Sequence, residues 1–179
     1  MKSLRKRRRS NGASLAELPA ALYLLFIGLF IPFLAMVVMT YRVGLVYFAV
    51  RDAASQAAIS QTFTLAKAAS AAALAKDSAA FSGISIVGPQ QFYIVIHQIT
   101  DGTTNGQTDG TETTSTTKLT AGTVDTSTYV YFYRTVVNVS VAPWFGAQWM
   151  GIQLPGLTAP YTTTMHYEEV VESTAGLTS

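Results

Sequence analysis

A chain of 179 residues has room for one domain of roughly 100 to 150 residues beside an anchor. Its formal charge of +2 is misleading, because six of its twelve Lys and Arg precede Gly12 and the remainder sets six basic residues against ten acidic ones. That acidic balance argues against nucleic acid as a partner, and the absence of cysteine excludes disulfides, thiolate metal sites and lipoprotein processing.

Residues 1–12 form a basic leader in which Arg5, Lys6, Arg7, Arg8 and Arg9, with Lys2, concentrate positive charge ahead of an apolar run. From Leu18 to Tyr41 the chain has no Asp, Glu, Lys or Arg. A helix of about 20 apolar residues crosses a roughly 30 Å hydrocarbon core. Thirteen of these side chains, among them Leu22, Leu25, Phe30 and Val37, together favour insertion by about 4 to 8 kcal/mol before the penalties of Pro19, Gly28 and Pro32. The basic flank makes Arg5 to Arg9 topology determinants, placing the N-terminus in the cytoplasm and the rest of the chain outside. A secretory signal has a shorter apolar region of about 7 to 15 residues and a small-x-small cleavage site, so the expectation is a retained single-pass anchor.

Glu17 stands in the first turn of this run. A carboxylate there is either an interfacial group stabilised by the helix dipole and headgroups, or a functional charge awaiting a cation.

The segment Arg7-Arg8-Arg9-Ser10-Asn11-Gly12-Ala13-Ser14-Leu15-Ala16-Glu17-Leu18, followed by the apolar run, resembles the processing site of type IV prepilins and pseudopilins. With Arg42, the helix Val50-Arg51-Asp52-Ala53-Ala54-Ser55-Gln56-Ala57-Ala58 and Leu154-Pro155-Gly156-Leu157 ahead of a last strand, it is most similar to the TadE-like pseudopilins of the tight-adherence (Tad) pilus. Ala13, Leu18 and Pro19 depart from the commonest pattern, in which an aromatic residue opens the mature chain, another follows the glutamate, and the first proline comes later.

The resemblance implies cleavage between Gly12 and Ala13 by a prepilin peptidase, and a Glu17 that sets subunit register by pairing with a neighbour's new N-terminal ammonium. It implies a bacterial inner-membrane protein incorporated into a pilus, with other pilin and pseudopilin subunits and pilus assembly platform proteins as partners. Its function would be assembly of fibres used in adhesion and biofilm formation. No cofactor, metal or catalytic residue is implied. The competing reading is an uncleaved single-pass envelope protein of structural or adhesive role.

After the span at residues 13–41, residues 42–82 stay helical and turn alanine-rich. Tyr47, Val50, Ala54, Ala57, Ala58, Gln61, Leu65, Ala68, Ala69 and Ala72 recur at three- and four-residue steps, which predicts one small apolar stripe that is either laid on the chain's own sheet or forms a seam with another subunit. Ser60-Gln61-Thr62 is a candidate break. Residues 83–179 change to period two and predict a β-rich head outside the membrane, with strands at Ile84 to Val87, Phe92 to Ile99, Tyr129 to Val141 and Tyr161 to Val171. Tyr129, Tyr131, Tyr133, Thr135, Val137, Val139 and Val141 form the expected core face.

Residues 100–128, dense in Thr, Gly and Asp, predict a long polar loop, and Trp144, Phe145, Trp149 and Met150 a loop folding over the sheet end. His97 and His166 lack ligands at metal spacing, and Glu168, Glu169 and Glu172 look like solubilising charges. The expected fold is α+β: a long N-terminal membrane-spanning helix followed by a small antiparallel sheet, in a pilin-like layout.

Overall fold

The computed structural model describes residues 17–99, 112–143 and 159–179. The Gly12–Ala13 bond, the basic residues Arg5 to Arg9, and the loop bearing Trp144, Phe145, Trp149 and Met150 lie outside the described residues. The fold is α+β, with one long apolar N-terminal helix and an antiparallel sheet.

Helix α1 runs from Glu17 to Ala58, 42 residues, with one π-helical turn at Phe26–Phe30. Pro32 accounts for the widened turn: its ring has no N–H for the carbonyl of Gly28 and would clash with it in a regular helix, a conflict that an i→i+5 turn relieves. Ile59 to Thr62 break the helix, and Thr62, in extended conformation, starts α2 (Phe63–Ala80) by accepting a hydrogen bond at Oγ1 from the Leu65 N–H at 3.2 Å.

The two helices form an antiparallel hairpin. Val46, Ala49, Val50 and Ala53 share a core cluster with Ala73 and Leu74, whereas Ala57, later in α1, clusters with Phe63 and Ala66, early in α2. Alanines on both partners let the helix axes approach closely, and that explains the alanine-rich composition.

The predicted stripe holds along α1 from Val50 onward, with Tyr47 at its start 50% exposed, and fails along α2. Val50, Ala54, Ala57 and Ala58 are buried, but Gln61, Ala68 and Ala72 are exposed and Leu65 keeps 56% of its surface in solvent. Phe63, Ala66, Ser70, Ala73 and Leu74 pack inward instead. Reversing the chain at residues 59–62 resets the helical phase, so a periodicity carried straight through the break selects the wrong face.

The sheet is centred on β4 (Tyr129–Val141). Val139 pairs with both Ile86 and Thr163, and Val136 with both Gln91 and His166. Hence β1 (Ile84–Ile86) and β2 (Gln91–Gln98) lie end to end along one edge of β4, and β5 (Tyr161–Val170) takes the other edge. Gly88, at φ +80°, and Pro89 divide that shared edge into two strands.

Outside β2 lies β3 (Glu112–Ser115), inside the stretch expected to be loop throughout. Leu119 and Val124 of the same stretch pack on the core. The composition is loop-like, but threonine is also a good edge-strand residue, and pairing with Val95 and Ile96 decides the matter.

Tyr131, Tyr133, Thr135, Val137, Val139 and Val141 face the helical hairpin and are buried. Thr135 hydrogen bonds Ser70 at 2.9 Å, and the Gln90 side-chain amide donates to the Ser70 hydroxyl at 2.6 Å, so both of these buried hydroxyls are partnered. A final turn, α3 (Ala175–Thr178), closes the bend between α1 and α2. Leu177 is fully buried there, the Phe63 N–H donates to the Ser179 carbonyl at 3.2 Å, and the Tyr133 hydroxyl donates to the Gly176 carbonyl at 3.1 Å.

Candidate functional site

The feature that the fold leaves without an internal purpose is the first half of α1. Apart from Ala35, every residue from Glu17 to Leu45 is exposed or half-buried, although nearly all are apolar. Leu29 is 67% exposed, Phe33 61% and Met36 70%. Leucine and phenylalanine are found inside soluble folds, and an exposed apolar surface of this extent marks contact with a membrane or another protein. By length and apolarity the helix is sufficient to cross a membrane.

Its few polar groups are managed locally. Thr40 donates its hydroxyl to the Met36 carbonyl at 2.9 Å, and Phe26 stacks on Phe30 with ring centroids 4.6 Å apart. Glu17, the first described residue, is helical and exposed, on a surface shared with Leu18, Ala21, Leu22 and Leu25.

Where the apolar half meets the head, Arg42 makes the junction. Its Nη1 donates to the Ala142 carbonyl at 2.6 Å, tying α1 to the end of β4. Gly83, at φ +79°, leaves space for the guanidinium, since a Cβ there would lie 2.6 Å from Arg42 Cζ. Met39 and Val43, on either side of Arg42, already pack against the core cluster of the head, and one turn further on Val46 is buried within it. The identity of Arg42 was legible as the end of the apolar run, but its partners lie about 40 and 100 residues away and left no sequence signal.

The outer face of the sheet carries a second polar constellation. Arg134 Nε and Nη2 both lie 2.6 Å from Glu168 Oε1, and Nη2 lies 2.6 Å from Glu112 Oε1. Glu168 Oε2 is 3.7 Å from His97 Nε2, and His97 packs edge-on against Phe132. Burial opposes the charge of Arg134, but its hydrogen bonds and attraction to Glu168 and Glu112 outweigh this and raise its pKa further.

Val95, which alternation with the core residues Phe92 and Ile94 places on this face, is fully buried. The strand register puts Arg134 and Glu112 on either side of the row that contains Val95, so their ion pair spans it. Glu168 is therefore more than a solubilising charge, correcting that reading, whereas Glu172 lies past the strand and is exposed.

His97 and His166 flank opposite edges of β4, opposite Val130 and Val136, and do not converge. Among the described residues no group of three His, Asp or Glu side chains is placed to hold a metal ion. Asp125 accepts from the Ser127 N–H at 2.9 Å and its hydroxyl at 2.6 Å, and these bonds, with Thr128, lower its pKa to about 2 and fix the turn before β4. Burial pushes the Tyr133 hydroxyl up to about 12.

Comparison with protein-family models, with curated proteins and with solved structures finds no match to this chain.

Proposed function

We propose that the chain is a membrane-anchored subunit of the pseudopilin or minor-pilin kind, cut between Gly12 and Ala13 by a prepilin peptidase and built into a Tad-type pilus at the bacterial inner membrane. The observation that carries this reading is the division of α1. One half is apolar and largely exposed, with Ala35 its one buried residue, and the other half is the spine of a small α+β head. A helix of that kind suits two successive environments, lipid before assembly and a bundle of like helices afterwards.

Two features of the sequence support the same reading. The basic leader orients the helix with its N-terminus in the cytoplasm. Glu17, at the head of the span, is where a neighbouring subunit's ammonium would neutralise a carboxylate that is otherwise costly in a low-dielectric bundle. The chemistry is packing and charge pairing, and the head supplies the outward surface.

The test is intact mass and N-terminal sequencing of the protein recovered from membranes, with a cognate prepilin peptidase present and absent. A product beginning at Ala13 only with the peptidase is expected. A chain that keeps Arg5 to Arg9 under both conditions overturns the processing step and leaves the uncleaved single-pass envelope protein as the better account.

A further inference from the structure

We propose that the side of α1 turned away from the head is a docking surface for the α1 of a second copy of this chain, displaced by four residues, with Phe48 of one copy seated on Gly44 of the next. This contact rests on the subunit reading of the chain and deepens it, since it names the face through which like helices meet and carries their contact on beside the head.

Beyond its π-helical turn α1 is regular, so successive residues advance by about 100° around the axis. Phe33, Val37, Tyr41, Gly44, Phe48 and Arg51 then lie within about 60° of one direction, and all are exposed. The opposite side carries Ala35, Met39, Val46 and Ala53, which are buried or packed on the core of the head. Over this stretch α1 is therefore a spine with one side committed to the head and the other exposed. Tyr41 keeps 66% of its surface in solvent and Phe48 59%. From Leu18 to Phe48 exposed apolar residues extend over about 45 Å of helix, more than the roughly 30 Å hydrocarbon core, so lipid alone does not cover them.

Gly44 identifies the occupant. A glycine inside a helix destabilises it, and here the head gains nothing in return, because a Cβ at Gly44 would meet no atom within 4 Å. What glycine on an exposed helix face permits is the close approach of a second helix. Phe48, four residues on, projects from the same face, so α1 carries a hollow and a knob at that spacing. Tyr47 and Arg51 repeat the spacing with a ring and a cation. Arg51 lies over its own Tyr167, 5.9 Å from the ring centroid, and among the described residues it has no ion-pair partner. Two parallel copies of α1 offset by about 6 Å, four residues at about 1.5 Å each, bring Phe48 of one level with Gly44 of the other, and Arg51 level with Tyr47. The proposed pairing of Glu17 with a neighbour's Ala13 ammonium imposes the same offset in the same sense. Such a contact is head-to-tail and repeats from copy to copy, as a fibre requires.

The chain has no cysteine, so single cysteines report neighbours without background. Two differently tagged full-length copies, one Val37→Cys and the other Tyr41→Cys, are co-expressed with a cognate prepilin peptidase. Membranes are oxidised, and the N-termini of the products are sequenced from the same samples. The expected result is a disulfide between Val37→Cys and Tyr41→Cys chains in preference to either homotypic pair. It should be lost when both copies also carry Gly44→Leu, and recovered when Phe48→Ala is added to make room for the leucine. Since a side chain at Gly44 meets nothing in the head, Gly44→Leu should leave the unfolding transition unchanged or raise it, which separates a lost contact from a lost fold. Chains that begin at Ala13 but favour homotypic disulfides, or are indifferent to Gly44→Leu, overturn the docking face and leave the pilin reading standing. Chains that keep residues 1–12 and give no such disulfide overturn both. Chains that keep residues 1–12 yet give the same Gly44-dependent disulfide overturn the processing step alone and support the docking face.

Discussion

Tyr133 ties the C-terminal turn to the sheet, because its ring is fully buried and its hydroxyl has one partner, the Gly176 carbonyl. Its pKa stands at about 12 against an ordinary value of 10.0, so the folded state holds the phenolic proton more tightly than the unfolded chain. The stability this represents is fully present below pH 10 and is lost as pH rises through about 12, amounting to up to about 2 kcal/mol. Denaturant unfolding across that range should show the fall, and Tyr133→Phe should remove this group's part of it while leaving the other eight of the nine tyrosines unchanged. An unaltered alkaline slope in Tyr133→Phe would assign the transition elsewhere. The position of Tyr133 on a buried face was legible from strand alternation, but its partner was not, since Gly176 lies 43 residues away.

At the scale of elements, the helical hairpin is held to the sheet by apolar packing and by one polar contact within it. Ser70 and Thr135 are both fully buried and bonded to each other, with Gln90 adding a donor to Ser70. Removing one hydroxyl strands the other in an apolar interior, so Ser70→Ala should destabilise by about 1 to 3 kcal/mol. Replacing both, Ser70→Ala with Thr135→Val, should cost less than the sum of the single changes, because no orphan remains on either element. Chemical denaturation of the three variants measures the coupling, and strict additivity would mean the hydroxyls do not act as a pair. Thr135 was readable as a core position on β4. Ser70 was not, because the apolar stripe of α1 was continued across residues 59–62 and pointed to Ala68, Ala69 and Ala72 instead.

At the scale of the whole molecule, the division of α1 into an exposed apolar half and a buried alanine-faced half governs behaviour. Under the proposed function, Glu17→Ala should leave membrane insertion intact, since removing a charge from the span only lowers its insertion cost. It should abolish incorporation of the subunit into fibres, measured by fractionating sheared pili from cells. Fibres assembled as with the native chain would show that Glu17 has no pairing role and is an interfacial residue only.

The sequence by itself determined the elements whose signals are local. An uncharged run long enough to span a bilayer, strict alternation along Tyr129 to Val141 and a Gly88–Pro89 break each follow from composition over a few adjacent residues, and the corresponding elements appear in the fold. Only the tertiary structure decided which strand lies beside which, where the phase of α2 falls, that a threonine-rich stretch adds an edge strand, and that Arg42, Gly83 and Ala142 meet. The reason is physical: periodicity fixes the face of an element relative to its own axis. Register, hairpin reversal and long-range ion pairs such as Arg134 with Glu168 depend on how separate elements meet, and that is set by packing across the whole chain.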